Sequence, residues 1–181
     1  VVAAGCGLRQ GECFGLQVDD VDFLGRRVLV RWQVKVIEGT PALAPPKGKK
    51  HREVPLPDVV AMELAEHLRM YSPEDGQVFT RRDGGLINRA HFNLLWRRAV
   101  KAAGMAPAGM HQLRHHYASV LLDGGVSIRA VAAYLGHSDP GFTLRTYAHL
   151  MPDSEARARA VIDAAYRAPA ESGRNQQPAQ A

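Results

Sequence analysis

The sequence predicts a mainly helical chain with a small antiparallel β-sheet near its start, an α+β class, and three observations lead there. Period-two alternation occurs in one stretch, at Val28, Val30, Trp32, Val34 and Val36, the spacing of a half-buried strand. From Asp58 onward apolar residues recur at three- and four-residue intervals, the period of a helix packed on one face. Gly, Ser and Pro then break the pattern often enough to make several short helices.

Taken in order, "VVAA" forms the first helical turns, Gly5 and Gly7 interrupt them, and "LRQGECFGL" resumes as a short helix. Within "VDDVDFLGRRVLVRWQVKV" the alternating residues from Val28 to Val36 are one strand. A Pro-rich basic loop, "EGTPALAPPKGKKH", leads to a short returning strand, "REVPLP", so the sheet carries a basic hairpin tip. "PDVVAMELAEHLRMY" is a helix with Val59, Met62, Leu64 and Leu68 as its apolar positions. "QVFT" adds a short strand or a turn. "NRAHFNLLWRRAVKAAG" has Asn88 as N-cap, a stripe of Phe92, Leu95 and Ala99, and a Gly stop. Four further helices fall in "HQLRHHYASVLLDGG", "SIRAVAAYLGH", "PGFTLRTYAHL" and "PDSEARARAVIDAAYR". Residues 1–167 are expected to form one domain, and 168–181, without apolar periodicity, a flexible tail.

The chain has 181 residues, 46% of them hydrophobic, enough for one proper core. Its net charge of +5 and pI near 9.5 suit a polyanionic partner such as nucleic acid. Cys6 and Cys13 are the two cysteines, seven apart. They make neither a disulfide framework nor a C-x-x-C metal clip, and with no signal peptide or long apolar run they point to the cytosol. The opening "VVAAGCGLRQ" has neither Met nor a cap, and reads as the inside of a helix in a longer protein.

The chemistry concentrates in "HQLRHHYAS". His111 and Arg114 are three apart and share a helix face. Imidazole beside guanidinium is poor metal chemistry and good oxyanion chemistry. A zinc reading would use His111 and His115, but position 112 is Gln rather than the zincin Glu, and Arg114 would repel the cation. A solvated polar face is the other alternative. Downstream, "LGHSDPGFTLRTYAH" sets His137 after a helix end and Tyr147 ten positions later. Upstream, "GLRQGE" holds Arg9 at a Gly-broken helix start, and "PPKGKKHREVPL" projects Lys47, Lys49 and Lys50. Two Arg, a Lys, two His and a Tyr suit phosphoryl transfer without metal or cofactor. Each also has a plain alternative: an Arg9–Glu12 surface pair, a solvated Lys47, a capping His137, a core Tyr147.

With these four boxes in order, the sequence resembles the tyrosine recombinases, or phage-type integrases, over about residues 1–165. The resemblance implies a tyrosine recombinase catalytic-domain fold and a site-specific recombinase acting in the integration or excision of a mobile element. DNA strands are cut and rejoined through a 3′-phosphotyrosyl link, with neither ATP nor metal. It implies Arg9 and Arg114 as phosphate clamp and Lys47 as general acid for the 5′-hydroxyl. His111 becomes general base or phosphate donor, His137 the second imidazole donor, and Tyr147 the nucleophile. Glu12 is an orienting partner, and His115, His116 and His149 are structural or DNA-facing. The partners implied are double-stranded DNA and a homo-tetramer on synapsed DNA, in a bacterial cytoplasm at the nucleoid. Val161, Ala164 and Ala165 form a stripe for a neighbouring protomer. Three departures stand out: the His137–Tyr147 interval is one residue longer than in many chromosome-resolving members; the hairpin offers Lys47, Lys49 and Lys50, so the assignment rests on Lys47 following "PP" and preceding a Gly; and the family's N-terminal core-binding domain and first catalytic-domain helix are missing. A type IB topoisomerase and a non-catalytic DNA-binding remnant are the competing readings.

Overall fold

A computed structural model describes residues 1–72, 75–148 and 154–166. Two short helices open the chain, α1 (Val2–Gly5) and α2 (Gln10–Phe14). Five strands follow: β1 (Val21–Asp22), β2 (Arg27–Val30), β3 (Gln33–Ile37), β4 (Thr40–Ala44) and β5 (Arg52–Pro55). Six helices complete it: α3 (Asp58–Met70), α4 (Arg89–Ala102), α5 (Met110–Asp123), α6 (Ile128–Leu135), α7 (Pro140–Tyr147) and α8 (Ser154–Tyr166). The α+β class is as expected, and "QVFT" contributes a single bridge, Gln77 to Gln17.

The sheet is where expectation and structure part. Among the described residues there are two antiparallel sheets, β1-β2-β5 and β3-β4. The alternating stretch breaks at Arg31 and Trp32, so Val28 and Val30 sink into the core while Val36 is exposed. Part of the expected loop, Thr40–Ala44, is strand β4, because Glu38 and Gly39, both at positive φ, close a two-residue hairpin. Pro41 is tolerated there because β4 has only one neighbour, and an edge strand does not need every N–H. The basic segment is consequently no hairpin tip. It is a 3₁₀ turn, Lys47–Lys49, joining β4 of one sheet to β5 of the other.

Asn88 caps α4 as expected, its side chain accepting from the amides of Ala90 at 2.8 Å and His91 at 3.3 Å. Ser127 caps α6, and Asp139 followed by Pro140 starts α7. Two apolar stripes need correction by a small rotation. On α3, Val60 and Leu64 are buried, whereas Val59 and Met62 are well exposed. On α4, Phe92 faces the core, Val100 is buried, and Trp96 donates to Ala108 O at 2.7 Å; Leu95 points outward. The core gathers Val28, Val30 and Val54 from the sheet with Val60, Leu64, Leu122, Val131 and Leu135 from the helices. On α8 the side chains of Val161, Ala164 and Ala165 are exposed. Residues 168–181, the expected tail, and His149 lie outside the described residues. No described helix is long and apolar enough to cross a membrane.

Candidate active site

Helix α5 builds the centre. Its buried residues are Arg114, Tyr117, Ala118 and Leu122, one stripe at helical spacing, so a guanidinium occupies what is otherwise an apolar face. Arg114 is 2% exposed. Its Nη1 donates to Gly7 O at 2.7 Å, and its Nη2 donates to Leu135 O and lies 3.3 Å from His137 Nε2. None of these partners is an anion. Burial first, then the charge of Arg9 with a lesser part from Arg52, brings the guanidinium down to about 9, against the pull of Glu12 and Tyr147. A buried cation whose hydrogen-bond partners are all neutral is costly, and that cost is relieved when an anion arrives.

Two glycines make the geometry possible. Gly7 adopts φ +63°, and a Cβ there would lie 2.3 Å from the Tyr117 ring, so only glycine brings this carbonyl to Arg114. Gly136 ends α6 in the left-handed conformation at φ 63°, turning the chain so that His137 follows beside Arg114. His137 Nδ1 sits 2.7 Å from the Oγ1 of Thr143, a fully buried residue of α7. Since Arg114 can only donate, Nε2 of His137 is an acceptor here and the proton resides on Nδ1. Burial and then the charges of Arg114, Arg9 and Arg52 bring this imidazole down to about 4.

Arg9 is the N-cap of α2, and its Nη1 pairs with Glu12 at 3.0 Å. Glu12 is 1% exposed and needs more than one cation. Arg52 of β5 supplies the rest, with Nη1 and Nη2 donating to the two carboxylate oxygens at 2.9 and 2.7 Å and Nε donating to Tyr134 O at 2.7 Å. Burial alone would raise the Glu12 carboxyl, but the hydrogen bonds and charges of Arg52 and Arg9 outweigh it and hold it at about 2. The plain Arg9–Glu12 pair is therefore real, yet Glu12 is an internal anchor and not a surface partner. Three guanidinium groups, Arg9, Arg52 and Arg114, surround one carboxylate.

Tyr147, at the end of α7, is 4% exposed, and its hydroxyl lies 2.6 Å from His115 Nδ1. His115 in turn meets the ring of His111 edge to face, centroids 4.5 Å apart. Burial raises the Tyr147 phenol and the Arg114 charge counteracts it. His111 is exposed, and burial of its ring, then His115, Arg114 and Arg9, lowers its pKa. Arg9, His111, Arg114, His137 and Tyr147 thus converge. Lys47 does not: it is exposed on the turn after β4 and makes no ion pair among the described residues. Arg52 and Thr143 were not singled out from sequence, and His115 was read there as a structural or DNA-facing residue. The sequence held no signal for Arg52, because the burial of Glu12 that calls for it arises only in the fold.

Beside this cluster runs a groove of about 980 Å³, lined by Arg9, Lys35, Arg89, Arg97, His111 and Arg114 among others, with no acidic side chain in its wall. No group of three or more His, Cys, Asp or Glu suited to a metal occurs among the described residues. The two cysteines are buried free thiols, both raised to about 12 chiefly by burial.

Comparison with known proteins gives the same direction. A model of the phage integrase family matches residues 1–153. A tyrosine recombinase XerC-like protein of Caldanaerobacter subterraneus subsp. tengcongensis is 28% identical over 181 aligned residues, covering 87% of this chain and 46% of the relative. Tyrosine recombinase XerA of Thermococcus kodakarensis is 35% identical over 139 residues, covering 75% and 44%. The chain spans about half the length of the curated relatives it matches. Among solved structures, the Tn1549 transposon integrase in complex with a circular intermediate DNA superposes with a TM-score of 0.75 at 22% identity, over 90% of this chain and 56% of that one. The catalytic domain of bacteriophage HP1 integrase gives 0.58 at 25% identity, over 94% and 82%.

Proposed function

Because the chain belongs to the phage integrase family, we propose that it is the strand-cutting part of a site-specific DNA recombinase that integrates or excises a mobile element. The observation that carries this reading is the buried Arg114, a cation whose hydrogen-bond partners are all neutral, in one cluster with a buried tyrosine. A phosphodiester is the anion that such a site lacks. Arg9 and Arg114 take its non-bridging oxygens, and their preorganised charge favours the pentacoordinate transition state over the ground state. His111 and His137 complete the donor set. For His137 this requires the phosphate to displace the Arg114 contact, which frees Nε2 to carry a proton. Tyr147 attacks phosphorus and the 5′-oxygen leaves with a proton from Lys47, which must travel inward from its exposed turn.

The acid-free wall of the groove and the +5 net charge support double-stranded DNA as the partner, and the Tn1549 transposon integrase is described in complex with DNA. Four copies act together on synapsed DNA, with the exposed Val161, Ala164 and Ala165 of α8 available to a neighbour, on nucleoid DNA in the cytoplasm. Transfer of the cut strand to a partner duplex, in place of resealing of the original one, separates this reading from a topoisomerase. The direct test is Tyr147→Phe, which removes one oxygen. DNA binding persists and the denaturant-resistant protein–DNA adduct disappears; an adduct formed by the Phe variant overturns the nucleophile.

A further inference from the structure

The Tyr147 hydroxyl does not point at an arginine but at an imidazole. Its oxygen is 2.6 Å from His115 Nδ1, a distance proper to a short O–H···N bond. The charge of Arg114 already acts on this phenol, and the neighbour its hydroxyl meets can accept a proton. We propose that His115 is the base for the nucleophile: its Nδ1 takes the phenolic proton as Tyr147 attacks. This rests on the recombinase reading and deepens it.

The placement follows from the helix. His115 is four residues after His111 and next to Arg114, so α5 presents the phosphate clamp and the base on adjoining faces. His115 is half-buried, and His111 packs edge to face on its ring, which limits the ring's rotation. The hydroxyl of Ser119 donates to the His115 carbonyl at 2.9 Å within the helix. The charged and titratable neighbours are His111 and Arg114 from its own helix, Tyr147 from α7, and Arg9, whose charge reaches His111. His111 is the exposed imidazole facing the groove, so the two histidines divide the labour: His111 on the phosphate, His115 on the phenol.

The step balances. The Tyr147 Oη–phosphorus bond forms as the phosphorus–O5′ bond breaks, the phenolic proton moves to His115 Nδ1, and the departing 5′-oxygen becomes a hydroxyl with the proton from Lys47. On rejoining, the incoming 5′-hydroxyl attacks phosphorus and returns its proton to the lysine, while His115 gives its own back to the phenolate. No net proton is consumed.

The experiment uses the full-length protein on nicked suicide duplexes carrying the site identified by sequencing its covalently captured DNA, in single turnover, with His116→Ala as the exposed control on the same helix. His115→Ala is expected to form adduct at least about 10²-fold more slowly, the scale of a lost general base. Added free imidazole, in its neutral form, restores part of the rate. His115→Asn places an amide where Nδ1 stood but accepts no proton. It stays slow near neutrality, and its rate climbs with pH where the wild-type profile has levelled. Full activity in His115→Asn would reduce His115 to a spacer. Faster cleavage in His115→Ala would make it a latch that restrains the tyrosine. Either overturns the proposal. A readout free of turnover is the ¹⁵N resonance of His115 Nδ1 in wild type, which must move in Tyr147→Phe; an unmoved resonance also overturns it. Adduct persisting in Tyr147→Phe would instead refute the nucleophile, a separate failure.

Discussion

Replacing Arg52 with Met should cost the fold more than any change at the groove surface. Arg52 is the larger holder of Glu12: its side chain is 10% exposed against 32% for Arg9, and it gives the carboxylate two hydrogen bonds. Methionine keeps the apolar stem and removes the charge, stranding a carboxylate that is 1% exposed. Breaking one side of a buried pair costs about 3–5 kcal/mol. A second route gives the same scale. Glu12 is held at about 2 from an ordinary 4.5, and that difference corresponds to about 3 kcal/mol at neutral pH. The sign follows from a depressed carboxyl: the stabilisation is complete above the unfolded pKa and disappears as pH falls from about 5 toward 2. Urea unfolding followed by circular dichroism at pH 7 and at pH 4 reads both effects. The expected loss at pH 7 is about 3–5 kcal/mol, or roughly 10 °C in Tm, and it narrows at pH 4. Arg9→Met, which leaves Arg52 in place, should cost about 1 kcal/mol. A loss below that in Arg52→Met, or equal losses in the two variants, would refute the assignment of Arg52 as the anchor.

Three further outcomes are expected. Lys47→Ala should cleave poorly, yet recover on a duplex whose 5′-bridging oxygen is sulfur, because a thiolate leaves without a proton; equal recovery in Lys49→Ala but not Lys47→Ala would move the role to Lys49. Arg114→Ala should slow adduct formation by roughly 10²–10³, with a much smaller change in DNA affinity by titration, since many basic groups share the backbone contacts. Gly7→Ala should destabilise by about 2–4 kcal/mol in thermal unfolding, from positive φ together with the Tyr117 overlap.

What the sequence determined alone was local and ordered. The α+β class, Asn88 as a helix cap, and the stop at Gly136 follow from short-range rules that a single segment obeys on its own. Arg9, His111, Arg114, His137 and Tyr147 were singled out because four boxes stood in order, and the fold brings them near one another. What only the tertiary structure decided concerns partners far apart in the chain. The alternation from Val28 to Val36 cannot reveal that β2 and β3 enter different sheets, because that depends on which strands return to meet them. The rotation of the α3 and α4 stripes, to Val60 and to Trp96 with Val100, depends on which neighbour each helix packs against; spacing alone leaves adjacent faces nearly equivalent. Arg52 meets Glu12 across 40 residues, and His115 meets Tyr147 across 32. A carboxylate or a phenol in sequence announces that it needs a partner, but the partner is chosen by the fold, because only burial makes the unpaired group expensive enough to demand one.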